Sequence, residues 1–176
     1  MLPSLRSFFD MSIEAIVAVD RAWGIGNKGE LLCRVRDDLR NFRSITSGKT
    51  VILGSKTLAT FPNGQPLKNR RNIILSRRED YKVENAEVAH SAEEALSMIK
   101  EGENAVVIGG DSIYKLFLPY CERIYVTKFD ITLPADAFFP NLDELGWKIE
   151  SESEEFLSAP DDSPSGMKWK IVTYVK

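Results

Sequence analysis

The chain carries short, unbroken apolar runs at Ala15–Val19, Thr50–Leu53, Asn72–Leu75 and Ala105–Ile108. Runs of this length, rich in Val and Ile and lacking a polar face, predict strands buried on both sides, as in a parallel sheet. Between them the pattern changes to a helical period. Asp37–Ile45 places Asp38, Leu39, Phe42 and Ile45 on one face. Ser91 followed by Glu94 reads as a capping box opening a helix over Ala92–Lys100. Asp111–Phe117 reads as a third helix, stopped at Pro119. Beyond it, Arg123–Phe129, Trp147–Glu155 and Met167–Val175 alternate as half-buried strands. The turn residues of Ser158–Gly166 separate the last two. Together these elements predict a single-domain α/β fold: a mixed, mostly parallel twisted sheet of about eight strands. Helices are expected on both faces, with an antiparallel C-terminal hairpin at one edge.

Composition narrows the class. A chain of 176 residues is long enough for one domain with a real core. With 43% hydrophobic and 28% charged residues it is neither disordered, collagenous nor coiled coil. A net charge of −3 lacks the basic footprint of a nucleic-acid binder. Two cysteines (Cys33 and Cys121) and a lone histidine (His90) supply neither a disulfide framework nor a zinc set. We therefore expect no metal, no membrane span, and a monomer in the reducing cytosol. Residues 1–12 lack the apolar core of a secretory signal. They read as an arm, or as sequence upstream of a start at Met11, ahead of a domain over 13–176.

Four clusters could carry chemistry. Ile108-Gly109-Gly110-Asp111-Ser112 joins a buried strand directly to a helix. Its glycines allow close backbone approach to a ligand, and the helix start favours a phosphate; a tight structural turn uses the same residues. Gly54-Ser55-Lys56-Thr57 is a second such turn, and Ser76-Arg77-Arg78 adds positive charge that could equally be solvated surface. Asp38 lies on or beside an apolar helix face, as an acid/base group would, or serves as a dipole partner like Asp37. Leu67–Asn72 contains Arg70 at a strand entrance, suited to a carboxylate or to solvent. No nucleophilic triad is evident, which points to chemistry supplied by a bound cofactor.

In combination these segments resemble dihydrofolate reductase. Ile16-Val-Ala-Val-Asp-Arg-Ala-Trp-Gly-Ile-Gly26 resembles the family's first strand and the loop after it. Asp37–Phe42 resembles the helix with its single catalytic carboxylate. Val51-Ile-Leu-Gly-Ser-Lys-Thr57 resembles its cofactor turn. Leu67–Ser76, Val107-Ile-Gly-Gly-Asp-Ser-Ile-Tyr114, Tyr125-Val-Thr127 and Ala135-Asp-Ala-Phe-Phe-Pro140 follow in the family's order, and the likeness runs from about residue 13 to the C-terminus.

The resemblance implies hydride transfer from NADPH to dihydrofolate, with antifolates as further ligands. It implies catalytic roles for Asp38, Thr127, Tyr114 and Leu31. Ile16, Val17, Leu39, Phe42, Phe61, Leu67, Arg70 and Ile108 join Asp38, Tyr114 and Thr127 at the substrate, with Arg70 on its glutamate carboxylate. Ala18, Ile25, Gly54, Ser55, Lys56, Thr57, Leu75, Ser76, Arg77, Gly109, Gly110, Asp111, Ser112 and Ile113 are implied for the cofactor. The family's glycine pair is joined by a cis peptide, expected here at Gly109–Gly110.

Three positions depart from the family. Cys33 stands where a tryptophan is usual, which predicts a wetter or reshaped pocket. Arg36 replaces the proline before the carboxylate. Ser55 replaces an arginine that supports the cofactor's 2′-phosphate, leaving Lys56, Arg77 or Arg78 to compensate. Two rival readings stay open at this point: the related pyrimidine reductase of riboflavin synthesis, and a non-catalytic folate- or nucleotide-binding module. The glycines of Trp23–Glu30 suit a lid over the nicotinamide or an ordinary connector.

Overall fold

The computed structural model describes residues Ser12–Lys176. The expected arm therefore lies outside the described residues, except for Ser12, which opens the first strand. In chain order the elements begin with β1 (Ser12–Val19), β2 (Gly24–Asn27), β3 (Glu30–Leu31) and α1 (Arg36–Thr46). Next come β4 (Thr50–Gly54), α2 (Ser55–Leu58), β5 (Arg71–Leu75), β6 (Glu87–Ala89) and α3 (Ala92–Ser97). They are followed by β7 (Asn104–Gly109), α4 (Asp111–Phe117), β8 (Arg123–Phe129), β9 (Ala137–Phe138), β10 (Lys148–Glu152), β11 (Phe156–Leu157) and β12 (Lys168–Val175).

The chain divides into two compact units. Among the described residues, the first combines Ser12–Ala15 with Thr46–Glu122. Its strands run in the order β1-β7-β4-β5-β6, and every neighbouring pair is parallel. The unbroken apolar runs explain this arrangement. Val51, Ile52, Leu53, Ile73, Ile74, Val106 and Val107 are fully buried, as strands covered on both faces require.

The second unit combines Ile16–Ile45 with Arg123–Lys176. Its strands run β10-β12-β8-β1, with β10–β12 and β12–β8 antiparallel and β11 also on β12. β10 is exposed along its whole length and rich in charge, which protects a sheet edge from further pairing. A small separate sheet, β3-β2-β9, was not expected. Its strands of two to four residues are too short to show a period.

The mixed, mostly parallel α/β fold with antiparallel C-terminal strands is thus present. α3 is shorter than its expected span and stops at Ser97. The amides of Met98 and Ile99 reach back only three residues, tightening the chain into a turn. At its start the Ser91 hydroxyl accepts from the Glu94 amide at 3.0 Å. The Glu94 carboxylate accepts from His90 rather than from Ser91, so the box is one residue wider than its usual form.

The turn after β1 is organised by Asp20, which is 3% exposed. Its carboxylate accepts from the amides of Ala22, Gly24 and Leu133 at 2.8–3.0 Å. Trp23 adopts a left-handed backbone (φ 62°) and stacks on Phe139. The Lys128 ammonium lies 5.1 Å from the Trp23 ring centroid, a cation–π contact.

Candidate active site

Asp38 lies in the first turn of α1, half-buried together with Phe42 and Ile45 on the expected face. Leu39 departs from that face and is 46% exposed. The hydroxyl of Thr127, a buried residue of β8, donates to Asp38 Oδ1 at 2.5 Å. Burial pushes the Asp38 carboxyl up to about 6, and the Thr127 hydrogen bond opposes that rise. Asp37 is exposed beside Arg40, 3.2 Å away, and reads as surface charge. Asp38 is thus the carboxylate of the pair that is half-buried and held at one oxygen by a buried hydroxyl.

Around it in the same unit, Ile16 and Val17 are buried in β1. Ala18 is partly buried against a cluster of Cys33, Val35, Phe129, Met167 and Trp169. Ile25 is half-buried in β2, and Leu31 is exposed. Cys33 lies inside that apolar cluster, packed with Val35, Phe129, Met167 and Trp169. Burial, with smaller contributions from the charges of Asp20 and Asp38, pushes the Cys33 thiol up to about 11.

In the other unit, β4 and β7 each end in glycine where a short helix begins. A Cβ on Gly54 would sit 2.9 Å from Ile113 Cγ1, and one on Gly110 would sit 3.0 Å from Thr57 Oγ1. The two turns thus pack so closely that neither tolerates a side chain without movement. Gly109 has φ of +129°, and the Gly109–Gly110 peptide is cis, as expected. The Tyr114 ring packs over Gly109, and burial raises its phenol well above the ordinary range. Asp111 turns its carboxylate onto the Ser112 amide at 2.8 Å.

Leu75 and Ser76 are buried at the end of β5. The Ser76 hydroxyl accepts from the Arg78 amide, and its carbonyl oxygen meets His90 Nδ1. Arg78 is paired with Asp80. Ser55 and Thr57 are half-buried in α2. Lys56 and Arg77 are exposed and have no ion-pair partner among the described residues.

Ile108 is buried at the end of β7, and Phe61, Leu67 and Arg70 are half-buried. Arg70 lines a cleft of about 510 Å³ with Lys49, Arg71 and Glu103.

A model of the dihydrofolate reductase family matches residues 12–176. The chain belongs to that family. It is 39% identical to dihydrofolate reductase of Mycobacterium tuberculosis strain H37Rv, over 85% of this chain and 89% of that one. It is 36% identical to dihydrofolate reductase type 3 of Salmonella typhimurium, over 88% and 93%. Among solved structures, dihydrofolate reductase from Enterococcus faecalis, complexed with NADP(H) and RAB-propyl, superposes with a TM-score of 0.81. That pair shares 30% identity over 93% of this chain and 95% of the other.

As a dihydrofolate reductase the chain is implied to use NADPH, and its residues fit that group. The glycines let the two strand-to-helix turns close on each other, with Gly54 against Ile113 and Gly110 against Thr57, so that two helix starts and their backbone N–H groups lie side by side. Lys56 and Arg77 are exposed cations with no ion pair among the described residues, and Arg78 meets Asp80 only in an exposed, weak pair.

Sequence reasoning missed Asn72, 2% exposed, whose amide holds the carbonyls of Leu67 and Arg70 and accepts from the Leu67 amide. It also missed Asp20. An Asx residue between an apolar run and a small-residue turn was the available signal for Asp20. Nothing local marks Asn72, which reads as one more polar residue in a strand.

Proposed function

We propose that the chain catalyses NADPH-dependent reduction of 7,8-dihydrofolate to 5,6,7,8-tetrahydrofolate, with hydride delivered to C6 and a proton to N5. Within a family member, the half-buried Asp38 on Thr127, titrating near 6, carries this reading. NADPH, when bound, supplies the hydride. Asp38 hydrogen-bonds the amino group and ring nitrogen of the pterin. Its charge favours the protonated pterin, and water can deliver the proton itself. Thr127 fixes one carboxylate oxygen so that the other is aimed at substrate.

Leu39 and Phe42 on α1, with Ile16 and Val17, present apolar surface to the substrate rings; within the first unit Phe61, Leu67 and Ile108 offer apolar surface of their own. Arg70 pairs with the glutamate carboxylate. Tyr114, neutral by burial, and Leu31 border the reacting atoms. Ala18 and Ile25 touch the nicotinamide, while Gly54–Thr57 and Gly109–Ile113 hold phosphates with Leu75 and Ser76 behind them. Lys56 and Arg77 take the charge role that Ser55 cannot fill.

We read the protein as a monomer in the cytosol; two free, buried cysteines suit a reducing compartment. No helix among the described residues is long and apolar enough to cross a membrane.

The test is loss of NADPH absorbance with dihydrofolate, beside an Asp38→Asn variant. Turnover that collapses in the variant is expected. Binding of both ligands without turnover in the unmodified protein would sink the reductase reading in favour of a binding module.

A further inference from the structure

The helix that carries Asp38 begins without a cap of its own. Val35, just before α1, has no side-chain acceptor, yet the first amides of a helix have no partner within it. The first helical bond here runs from the Leu39 amide to the Val35 carbonyl at 3.0 Å, so Asp38 stands in the turn that needs capping. The acceptor arrives from the loop between β11 and β12. The Arg36 amide donates to Asp162 Oδ1 at 3.0 Å, and the Ala159 amide donates to Asp162 Oδ2 at 2.7 Å. These two donors hold the Asp162 carboxyl below the usual carboxylate range.

One step earlier, Arg34 and Ser163 exchange both backbone hydrogen bonds, at 2.8 and 3.0 Å. The Arg36 guanidinium also reaches Asp161 at 2.5 Å, but both side chains are more than half exposed and such a pair is weak. The amide bond to Asp162 exists only because residue 36 is not proline, which has no N–H.

We propose that Asp162 is a positioning residue for Asp38: from the C-terminal loop it caps α1 in place of Val35 and so fixes the carboxylate against Thr127. The kinetic part of this proposal rests on the reductase reading; the cap itself does not. A carboxylate at this end also complements the helix dipole. Its loss frees the first turn, and the misplacement reaches the substrate contact directly.

The experiment compares wild type with Asp162→Ala, Asp162→Asn and Asp161→Asn, by amide exchange at Arg36 and by steady-state kinetics. Asp162→Ala should lose Arg36 protection and about five- to tenfold in kcat/KM for dihydrofolate, with KM for NADPH within about twofold. Asp162→Asn keeps one acceptor oxygen for the Arg36 amide but turns an NH2 toward the Ala159 amide, so it should restore only part of each loss. Asp161→Asn should change neither. In an Asp38→Asn background the kinetic cost of Asp162→Ala should fall below about twofold, since the residue acts through Asp38. If the alanine variant does not fold, Asp162→Glu displaces the acceptor by one methylene and is read in the same way. Unchanged Arg36 protection in Asp162→Ala overturns the cap. Lost protection with unchanged kcat/KM, or an equal loss in the Asp38→Asn background, overturns the positioning role. A wild-type protein that turns over no dihydrofolate sinks the reductase reading, and the exchange result still decides the cap.

Discussion

Thr127 and Asp38, 89 positions apart in the chain, share a hydrogen bond of 2.5 Å between a buried strand hydroxyl and a helix carboxylate. The hydroxyl donates to the charged form of Asp38, so it works against the upward push of burial.

Thr127→Val keeps the shape and removes the donor. A hydrogen bond to a charged group contributes about 1.5 kcal/mol or more, equivalent to about one pH unit. The Asp38 carboxyl should then titrate about one unit higher. In the reductase reading the proton shared between Asp38 and substrate is lost as pH rises, so hydride transfer declines above about pH 6 in the unmodified protein. Stopped-flow rates across pH should show that decline displaced upward in the variant; an unmoved midpoint would contradict the role given to Thr127.

Asp38 also weakens the fold it serves. Its ordinary carboxyl value is 3.8, and burial holds it near 6. Between those values the unfolded chain has released the proton while the folded chain retains it. Stability therefore falls across that window and stays lower above it, by about 2–3 kcal/mol. Asp38→Asn keeps an acceptor for Thr127 and removes the charge. Its Tm should exceed that of the unmodified protein at pH 7, and the gain should vanish below about pH 4. Turnover should fall at least about a hundredfold. An equal Tm difference at both pH values would refute the linkage.

Lys56 follows β4 and Arg77 follows β5; both are exposed and outside any ion pair among the described residues, whereas Arg78 meets Asp80 in an exposed one. Arg77→Ala should raise KM for NADPH about tenfold and leave KM for NADH nearly unchanged, because only NADPH carries the 2′-phosphate. Ser55→Arg should move the ratio of the two constants the other way. Equal effects of Arg77→Ala on both cofactors would remove Arg77 from the phosphate site.

Cys33 is buried in the apolar cluster and its thiol is pushed up to about 11. Alkylation at pH 8 should be slow in the native protein and fast only after denaturation, since the thiolate is the reactive form. Restoring the family tryptophan at this position forces an indole among Val35, Phe129, Met167 and Trp169. Cys33→Trp should cost about 1–3 kcal/mol in urea unfolding through overpacking. A neutral or stabilising result would mean that the cluster has room.

The central parallel strands were legible because their apolar runs are unbroken and need no partner to be recognised. Asp38 was legible through its place beside a helical apolar face, and the glycine turns through strand–Gly–helix spacing. The small sheet β3-β2-β9 was not, because two to four residues cannot display a period. The cap on α1 was hidden for a different reason. Val35 offers no local sign of capping, and the acceptor lies 126 positions away. The packing of Cys33 was missed likewise, since its neighbours Phe129, Met167 and Trp169 are distant in the chain.

That distance also has a meaning in time. A ribosome adding about 5–20 residues per second takes roughly 6–25 s to travel from Arg36 to Asp162. Throughout that interval α1 lacks its cap, and until Thr127 is added it lacks its hydroxyl partner as well. Enzymatic competence is therefore a late event of synthesis. A chain released before Asp162 is added emerges with α1 complete and without its cap.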